Sequence, residues 1–530
     1  MSTEQRNPAT GAIIGIYPNT SRDQFDAFFV EARRAQQLSW AAVPFKQRAA
    51  HIYKMKAYLA RHAERVAKII ADCTAKTRQD ALATEVLPCL MACDWYAKNT
   101  ESVLRDHYLP CGNLLFANKS NLLQHCPLGV VGIISPWNYP FSIPFGEIIM
   151  GLMAGNAIVL KVATQTVAVG ALIEEIVNVG GELPRGLFHH VICGGAQASD
   201  WMFKNGVNKI FFTGSVPVGK QLMKDASATL TPLSLELGGN DAMVVCSDAN
   251  VHRAANCAAW AGFQNAGQSC GGVQRIYVHA DIYDSFVQQL CAKTRSLRHG
   301  PDTDPAFTVD MGGLTTAKQL EYVVAAVNDA VKNGATVAAQ SRPIGDCGTG
   351  FFYPATVLTG VKPSMNVSRE ECFGPVVCVF KVADDAEAIR LANDNTMGLT
   401  ASVFSECRTH AKAVATRLES GVITVNDHLY THGASETPWG GWKESGIGRT
   451  HGYLGLKEMC NARCINTDML SGAMMPSNMW WYPFSKATYE GVLNGVRFLA
   501  PTSIGQKIGA AMKLVPFALG KMRDAWVVAT

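Results

Sequence analysis

"VVGIISPWNYPFSIPFGEIIMGLMAGNAIVL", residues 130 to 160, holds one charge, Glu147, and is long enough to cross a bilayer. Its punctuation argues against that. Pro136, Pro140, Pro144, Asn138 and Gly146 would break a spanning helix near its middle, where hydrocarbon cannot satisfy the freed backbone groups. A buried strand, a loop and a buried helix accept the same residues, so the stretch reads as part of an α/β core.

The surrounding sequence repeats that rhythm. "GVVGIIS", "AIVLKV", "HHVICGG", "KIFFTGS" and "SLELGG" are short β-rich runs, each followed by turn residues and most by a helix, which predicts a parallel sheet covered on both faces. A second series, "AMVVCS", "RIYVHA", "ATVLTG", "PVVCVFKV", "ASVFS" and "GVITVN", predicts a second α/β domain, with the turn "LGGND" (237–241) as the hinge. Residues 24–106 show apolar positions every three or four residues, so a layer of helices is expected first.

At 530 residues the chain is too long for one core and implies two or three domains. The net charge of +4 is spread along the chain rather than gathered in basic runs, so nucleic acid is not an expected partner. "MSTEQRNPATG" has neither a secretory nor a transit-peptide pattern, and a cytoplasmic location is expected. The sixteen cysteines are scattered; Cys89/Cys93 and Cys460/Cys464 lack the further ligands of a zinc site, so reduced thiols and no metal are expected. From Asp468 onward the chain is rich in Met, Trp and Gly, and its last part is weakly amphipathic with Lys507, Lys513, Lys521 and Arg523. That extension suits a tail folded onto the catalytic domain or a neighbouring subunit, or else peripheral membrane contact.

Chemistry is suggested by "FQNAGQSC" (263–270) taken with two distant motifs. Cys270 alone would pass for a small buried hydrophobe. "LELGGN" places Glu236 thirty-four residues before it, and "SPWNYP" sets Asn138 between an aromatic residue and a proline turn. A sulfur, a carboxylate and an amide have complementary roles in acyl chemistry.

With "PWNYP" (136–140), "GNAIVLK" (155–161), "FTGSVPVG" (212–219), "LELGGN" (235–240), "FQNAGQSC" (263–270), "EECFGPV" (370–376) and "PWGGWKESGIGR" (438–449) in this order, the chain resembles the NAD(P)-dependent aldehyde dehydrogenase superfamily over about residues 7 to 465. The resemblance implies an α/β aldehyde dehydrogenase-like fold: two Rossmann-type domains with parallel sheets and a small β excursion for oligomerisation. The expected boundaries are 1–106 and 128–237 for the dinucleotide-binding domain, 238–457 for the catalytic domain, 107–127 and 458–468 for the oligomerisation strands, and 469–530 for the extension. A homodimer or homotetramer is expected, because projecting strands leave unpaired edges.

The same resemblance implies that Cys270 attacks the aldehyde, that the Asn138 amide and the Cys270 N–H hold the oxyanion, and that Glu236 activates the deacylating water. For the cofactor it implies Lys161 at the adenine ribose, Gly214, Ser215 and Gly219 around the diphosphate, Glu371 at the nicotinamide ribose, and Phe373 and Trp137 along the groove. NAD-preferring members resemble "KPxE", whereas this chain reads "KVAT" with Thr164 in the glutamate's place, which predicts NADP, with NAD as the alternative. Tyr139, Ile143 and Trp439 are expected around the aldehyde. Enzymes for succinate semialdehyde resemble "WNFPxxMITRK", where the arginine's place is here Gly146, followed by Glu147. An aromatic or medium-chain aliphatic aldehyde is therefore expected, with the long loop Asp427–Thr437 at the mouth. Two other readings use the same residues: a cysteine hydrolase pairing Cys270 with His189 or His190, expected on a surface strand, and an inactive binding homologue.

Overall fold

The computed structural model describes residues 1–113, 116–348, 350–470, 478 and 481–528. The opening stretch folds as strand Val130–Ile134, a loop, helix Ser142–Ala154 and strand Ala157–Lys161. Both strands are buried at every residue, as central parallel strands with two covered faces must be. The helix is apolar nearly all round and buried from Pro144 onward, and it stops at Gly155, whose φ of 96° is a left-handed cap. Among the described residues no helix is long and apolar enough to cross a membrane.

Two sheets organise the larger of two compact units, residues 1–105 and 125–461. The first runs Gly446–Ile447, Leu233–Glu236, Lys209–Thr213, Val130–Ile134, Ala157–Lys161, Phe188–His190; the second runs Thr336–Gln340, Thr356–Thr359, Val376–Val382, Val273–His279, Asp241–Val245, Thr400–Phe404, Val422–Val425. Every strand expected from the two β-rich series is present. Each sheet has its own buried apolar cluster, so the chain builds two cores rather than one.

The sheets differ from the all-parallel expectation at their edges. Thr336–Gln340 pairs antiparallel with Thr356–Thr359, and Gly446–Ile447 antiparallel with Leu233–Glu236. No helix lies between Gln340 and Thr356, and a parallel neighbour needs a crossover that such a link does not provide. The helical layer is also not first. Strand Ser2–Arg6 pairs with Ile13–Pro18 ahead of it, a hairpin whose first strand is polar and carries little strand signal.

The second unit comprises residues 106–124 and 462–530. Strand His107–Leu109 pairs antiparallel with Lys119–Pro127, and Cys460–Asp468 flanks the latter as an edge strand. Helices Lys486–Leu499 and Ile504–Val528 follow. Of the 469–530 extension, residues 471–477, 479–480 and 529–530 lie outside the described residues.

Candidate active site

Cys270 ends a loop between helix Val251–Phe263 and strand Val273–His279. Asn265, Ala266 and Gly267 are all left-handed, with φ of 54°, 54° and 69°. At Gly267 a Cβ would lie 2.0 Å from the Gly374 carbonyl oxygen, so only glycine fits. Ala266 has no such freedom and is held by its neighbours' hydrogen bonds. The Tyr139 hydroxyl donates to Gln264 at 2.6 Å, and the Asn265 amide donates to the carbonyls of Asn138 (3.0 Å) and Gln268 (3.1 Å). Gln268 donates to Asn265 O at 3.0 Å and accepts from Thr315 N at 2.9 Å. Past the cysteine, Gly271 O accepts from His428 Nε2 (2.8 Å) and Thr400 Oγ1 (3.1 Å). The polar letters of "FQNAGQSC" thus aim the thiol.

Beneath the Asn138 loop lies a fully buried ion pair, Lys76 Nζ to Glu85 Oε1 at 2.5 Å. Lys76 also donates to Asn138 O at 2.7 Å and sits 4.5 Å from the Tyr139 ring centre, while Glu85 accepts from Phe141 N at 2.8 Å. Sequence reading missed both residues, since they occur in helical sequence with no motif around them.

Asn138 Nδ2 donates to Gln268 O at 3.1 Å, and a primary amide has a second hydrogen to give. Burial pushes the Cys270 thiol up, with Glu371, Asp241 and Glu236 adding to it, so the thiol keeps its proton until a base removes it. Glu236 closes strand Leu233–Glu236 at 6 % exposure, and its Oε2 has no hydrogen-bond partner. Burial holds the Glu236 carboxyl well above the usual range, Glu147 pushes it further, and Arg449 opposes. Glu147 is itself pushed up to about 8 by burial.

One side of Cys270 lines a groove of about 560 Å³. Trp137, Asn138, Gly214, Ser215, Glu371 and Phe373 line it with the thiol. Ser215 begins helix Val216–Ala226, whose first turn holds Gly219; a Cβ there would meet Leu237 at 2.6 Å, and one at Gly214 would meet Phe212 at 2.5 Å. A helix N-terminus approached without side chains suits a phosphate group. Glu371, pushed up to about 8 by burial, accepts from Gly239 N at 3.2 Å, and Phe373 meets Trp137 edge-on at 5.5 Å. Lys161 and Thr164 do not line this groove. Lys161 is buried with its pKa lowered by that burial, its ammonium 3.8 Å from where a Gly195 Cβ would sit; Thr164 is exposed at the start of the turn Thr164–Thr166. Gln165 does line the groove, as do Lys318, Gln319 and Tyr322 from helix Ala317–Lys332, which no sequence motif marks.

On the other side the packing is tight. Cys270 packs against Leu399, Val422 and Trp439, and a Cβ on Gly271 would be 2.9 Å from the Trp439 ring. The Trp439 ring is 5.7 Å from His432, which is 4.9 Å from Tyr139 and 6.3 Å from His451. Burial drives His432 down to about 4 and His451 to about 3, so both are neutral near pH 7. Ser142, Gly146, His432 and His451 are among the residues lining a space of about 20 Å³, and a Cβ on Gly146 would touch nothing within 4 Å. Ile143 is half-buried and not among that lining.

His189 and His190 are buried on strand Phe188–His190, not on a surface strand as expected, because helices cover the edge of the sheet there. His189 stacks on Phe28 at 4.4 Å and His190 feels Lys161, so neither attends Cys270. Elsewhere, Cys246, Asp385 and His410 bring ligand atoms within 4.8 Å of one another. His410 Nε2 is 2.6 Å from Asp385, closer than the roughly 3.3 Å that two ligands of one zinc ion keep, and reads as an ion pair.

The family model described as "Aldehyde dehydrogenase family" matches residues 1–465. A 4,4'-diapolycopene aldehyde oxidase of Methylomonas sp is 33 % identical over 93 % of this chain and 90 % of its own. A protein of Mycolicibacterium smegmatis, provisionally named succinate-semialdehyde dehydrogenase (NADP(+)), is 35 % identical over 86 % of this chain and 87 % of its own. Among solved structures, an aldehyde dehydrogenase from Bacillus cereus in complex with NAD+ aligns with a TM-score of 0.83 and 30 % identity, covering 88 % of this chain and 94 % of that one.

Proposed function

We propose, for a chain that belongs to the aldehyde dehydrogenase family, that it oxidises an apolar aldehyde to the carboxylic acid through Cys270. The observation carrying this reading is the convergence of the Cys270 thiol and the Asn138 amide on one groove, with the unpartnered Glu236 carboxyl close enough for its charge to bear on the thiol.

Deprotonated Cys270 attacks the carbonyl carbon to give a thiohemiacetal. The oxyanion takes hydrogen bonds from the second Asn138 amide hydrogen and the Cys270 N–H; losing one such donor costs about 2.7–4 kcal/mol. Ser215, Glu371, Phe373 and the glycine-lined helix end would hold NAD or NADP, which would supply the hydride acceptor. What remains on sulfur is a thioester. Glu236 then takes a proton from the water that cleaves it, a task for a carboxylate whose pKa burial has raised.

NADP is the favoured cofactor. A carboxylate in the place of Thr164 would repel a 2′-phosphate; a neutral hydroxyl on the same turn as the Lys161 strand end does not. The relative whose name includes NADP(+) supports this. For the aldehyde, the site offers no unpaired cation to a distal carboxylate among the residues around Trp439 and Gly146: Lys76 is committed to Glu85, Arg449 donates to the Gly441 and Gly448 carbonyls, and the histidines are neutral. The two curated relatives divide on this point, one named for an apolar aldehyde and one for an anionic one. We also infer a homodimer or homotetramer, since Cys460–Asp468 is an exposed edge strand.

Steady-state kcat/KM for benzaldehyde, hexanal and succinate semialdehyde, each with NAD and NADP and repeated on Cys270→Ala, tests the reading. Oxidation of the first two in preference to the third, with NADP at least equal to NAD, is expected; a clear preference for succinate semialdehyde refutes the substrate class.

A further inference from the structure

In helix Ile504–Val528, Ile504, Ile508, Met512, Val515 and Leu519 recur at intervals of three or four residues, one stripe at about 100° per residue, and each is 57–80 % exposed. Tyr489, Val492, Val496 and Leu499 make a similar stripe on helix Lys486–Leu499, at 38–70 % exposure. The two helices pack through other faces. Thr488, Gly491, Asn494 and Gly495 are buried, and a Cβ on Gly491 would sit 2.4 Å from the Phe517 ring. Both apolar stripes are therefore left over after the hairpin has formed.

We infer that this face of the C-terminal hairpin lies in the interface of a bilayer bearing anionic phospholipid. Charge selects that occupant. Between residues 481 and 520 the cations are Lys486, Arg497, Lys507 and Lys513 against one acid, Glu490, and all four cations are exposed. At 100° per residue Lys507 lies about 100° from the middle of its stripe on one side and Lys513 about 140° on the other, while Lys486 and Arg497 share one flank of theirs. Cations bordering an apolar face are the pattern of a helix lying in the plane of a membrane surface. Trp481, Tyr482 and Phe484, 60–80 % exposed, lead into it, and amphipathic rings favour the headgroup level. A second copy of this face would bring cation against cation, which argues against a two-fold contact. Spanning is also ruled out, because the longer helix carries Lys507, Lys513, Lys521, Arg523 and Asp524 around an internal Pro516.

This inference is independent of the active-site chemistry. Full-length protein is sedimented with phosphatidylcholine vesicles containing about 30 % phosphatidylserine, and with pure phosphatidylcholine as the neutral comparison. Binding to the anionic vesicles is expected. The triple variant Ile508→Ser/Met512→Ser/Val515→Ser and the double variant Lys507→Glu/Lys513→Glu should each bind them more than tenfold more weakly, with circular dichroism unchanged. Failure of the native protein to sediment, equal binding to neutral vesicles, or variants that bind as well as the native chain overturn it. A smaller assembly by light scattering in the triple variant, with no lipid effect, would assign the face to a second copy instead.

Discussion

Cys270 lines a groove of about 560 Å³ on one side and packs against Leu399, Val422 and Trp439 on the other, with a space of about 20 Å³ beside His432 and His451 beyond Trp439. The groove is lined by backbone at Gly214 and Gly238 and by side chains such as Trp137, Tyr322, Glu371 and Phe373. A Cβ at Gly214 or Gly238 would meet the Phe212 or Glu371 side chain, so the chain there is held against its own neighbours. The side closed by packing gathers the rings of Tyr139, Trp439, His432 and His451. Glycines packed against their own neighbours tolerate little change, whereas side chains facing a substrate are where specificity can drift.

The largest expected effect breaks the link between the two spaces. Cys270→Ala should lower aldehyde-dependent NADPH formation by about 10⁴-fold or more while leaving NADP binding intact by fluorescence titration. Lost cofactor binding would mean that the two sides are not separable. Next, Lys76→Met strands Glu85 as a buried charge under the Asn138 loop, and denaturant unfolding should show a loss of about 3–5 kcal/mol. A loss below 1 kcal/mol would mean that the pair does not support the loop.

Each side can then be perturbed alone. Thr164→Glu should raise KM for NADP by about tenfold or more and spare NAD, because it sets like charge against a 2′-phosphate. Gly146→Phe fills the open position on the closed side and should suppress oxidation of benzaldehyde and hexanal more than that of acetaldehyde. Equal losses for all three aldehydes would remove Gly146 from the substrate's path.

The smallest effect is in pH. The Glu236 carboxyl is raised by burial and then by Glu147, so it is protonated below its shifted pKa and acts as a base only above it. kcat/KM should climb with pH through that value. Above about pH 8, where Glu147 itself ionises, Glu147→Gln removes the neighbouring charge and should move the rising limb to lower pH, by up to about one unit. A limb that stays in place would show that Glu147 does not act on Glu236.

Much of the fold could be read from hydrophobic runs. Val130–Ile134 and Ala157–Lys161 are buried on both faces, so their β-branched residues show without any partner in view. The amino-terminal hairpin did not show, because its strand Ser2–Arg6 is an edge with mixed composition. In the candidate site, Cys270, Asn138 and Glu236 stood out through the motifs "FQNAGQSC", "PWNYP" and "LELGGN", which resemble those of a known family. Lys76, Glu85 and His428 did not, since a buried polar residue is defined by its distant partner: Lys76 by Asn138 O, His428 by Gly271 O.

The sequence by itself determined the two strand-and-helix series, because these depend on local periodicity, and its resemblance to the family singled out Cys270, Asn138 and Glu236 as candidates. Only the tertiary structure decided the antiparallel edges, the buried Lys76–Glu85 support, the burial that raises Glu236, and the two unpaired apolar stripes of the C-terminal hairpin. Burial and partnership arise between segments far apart in the chain, and no stretch of sequence records which distant segment will cover it.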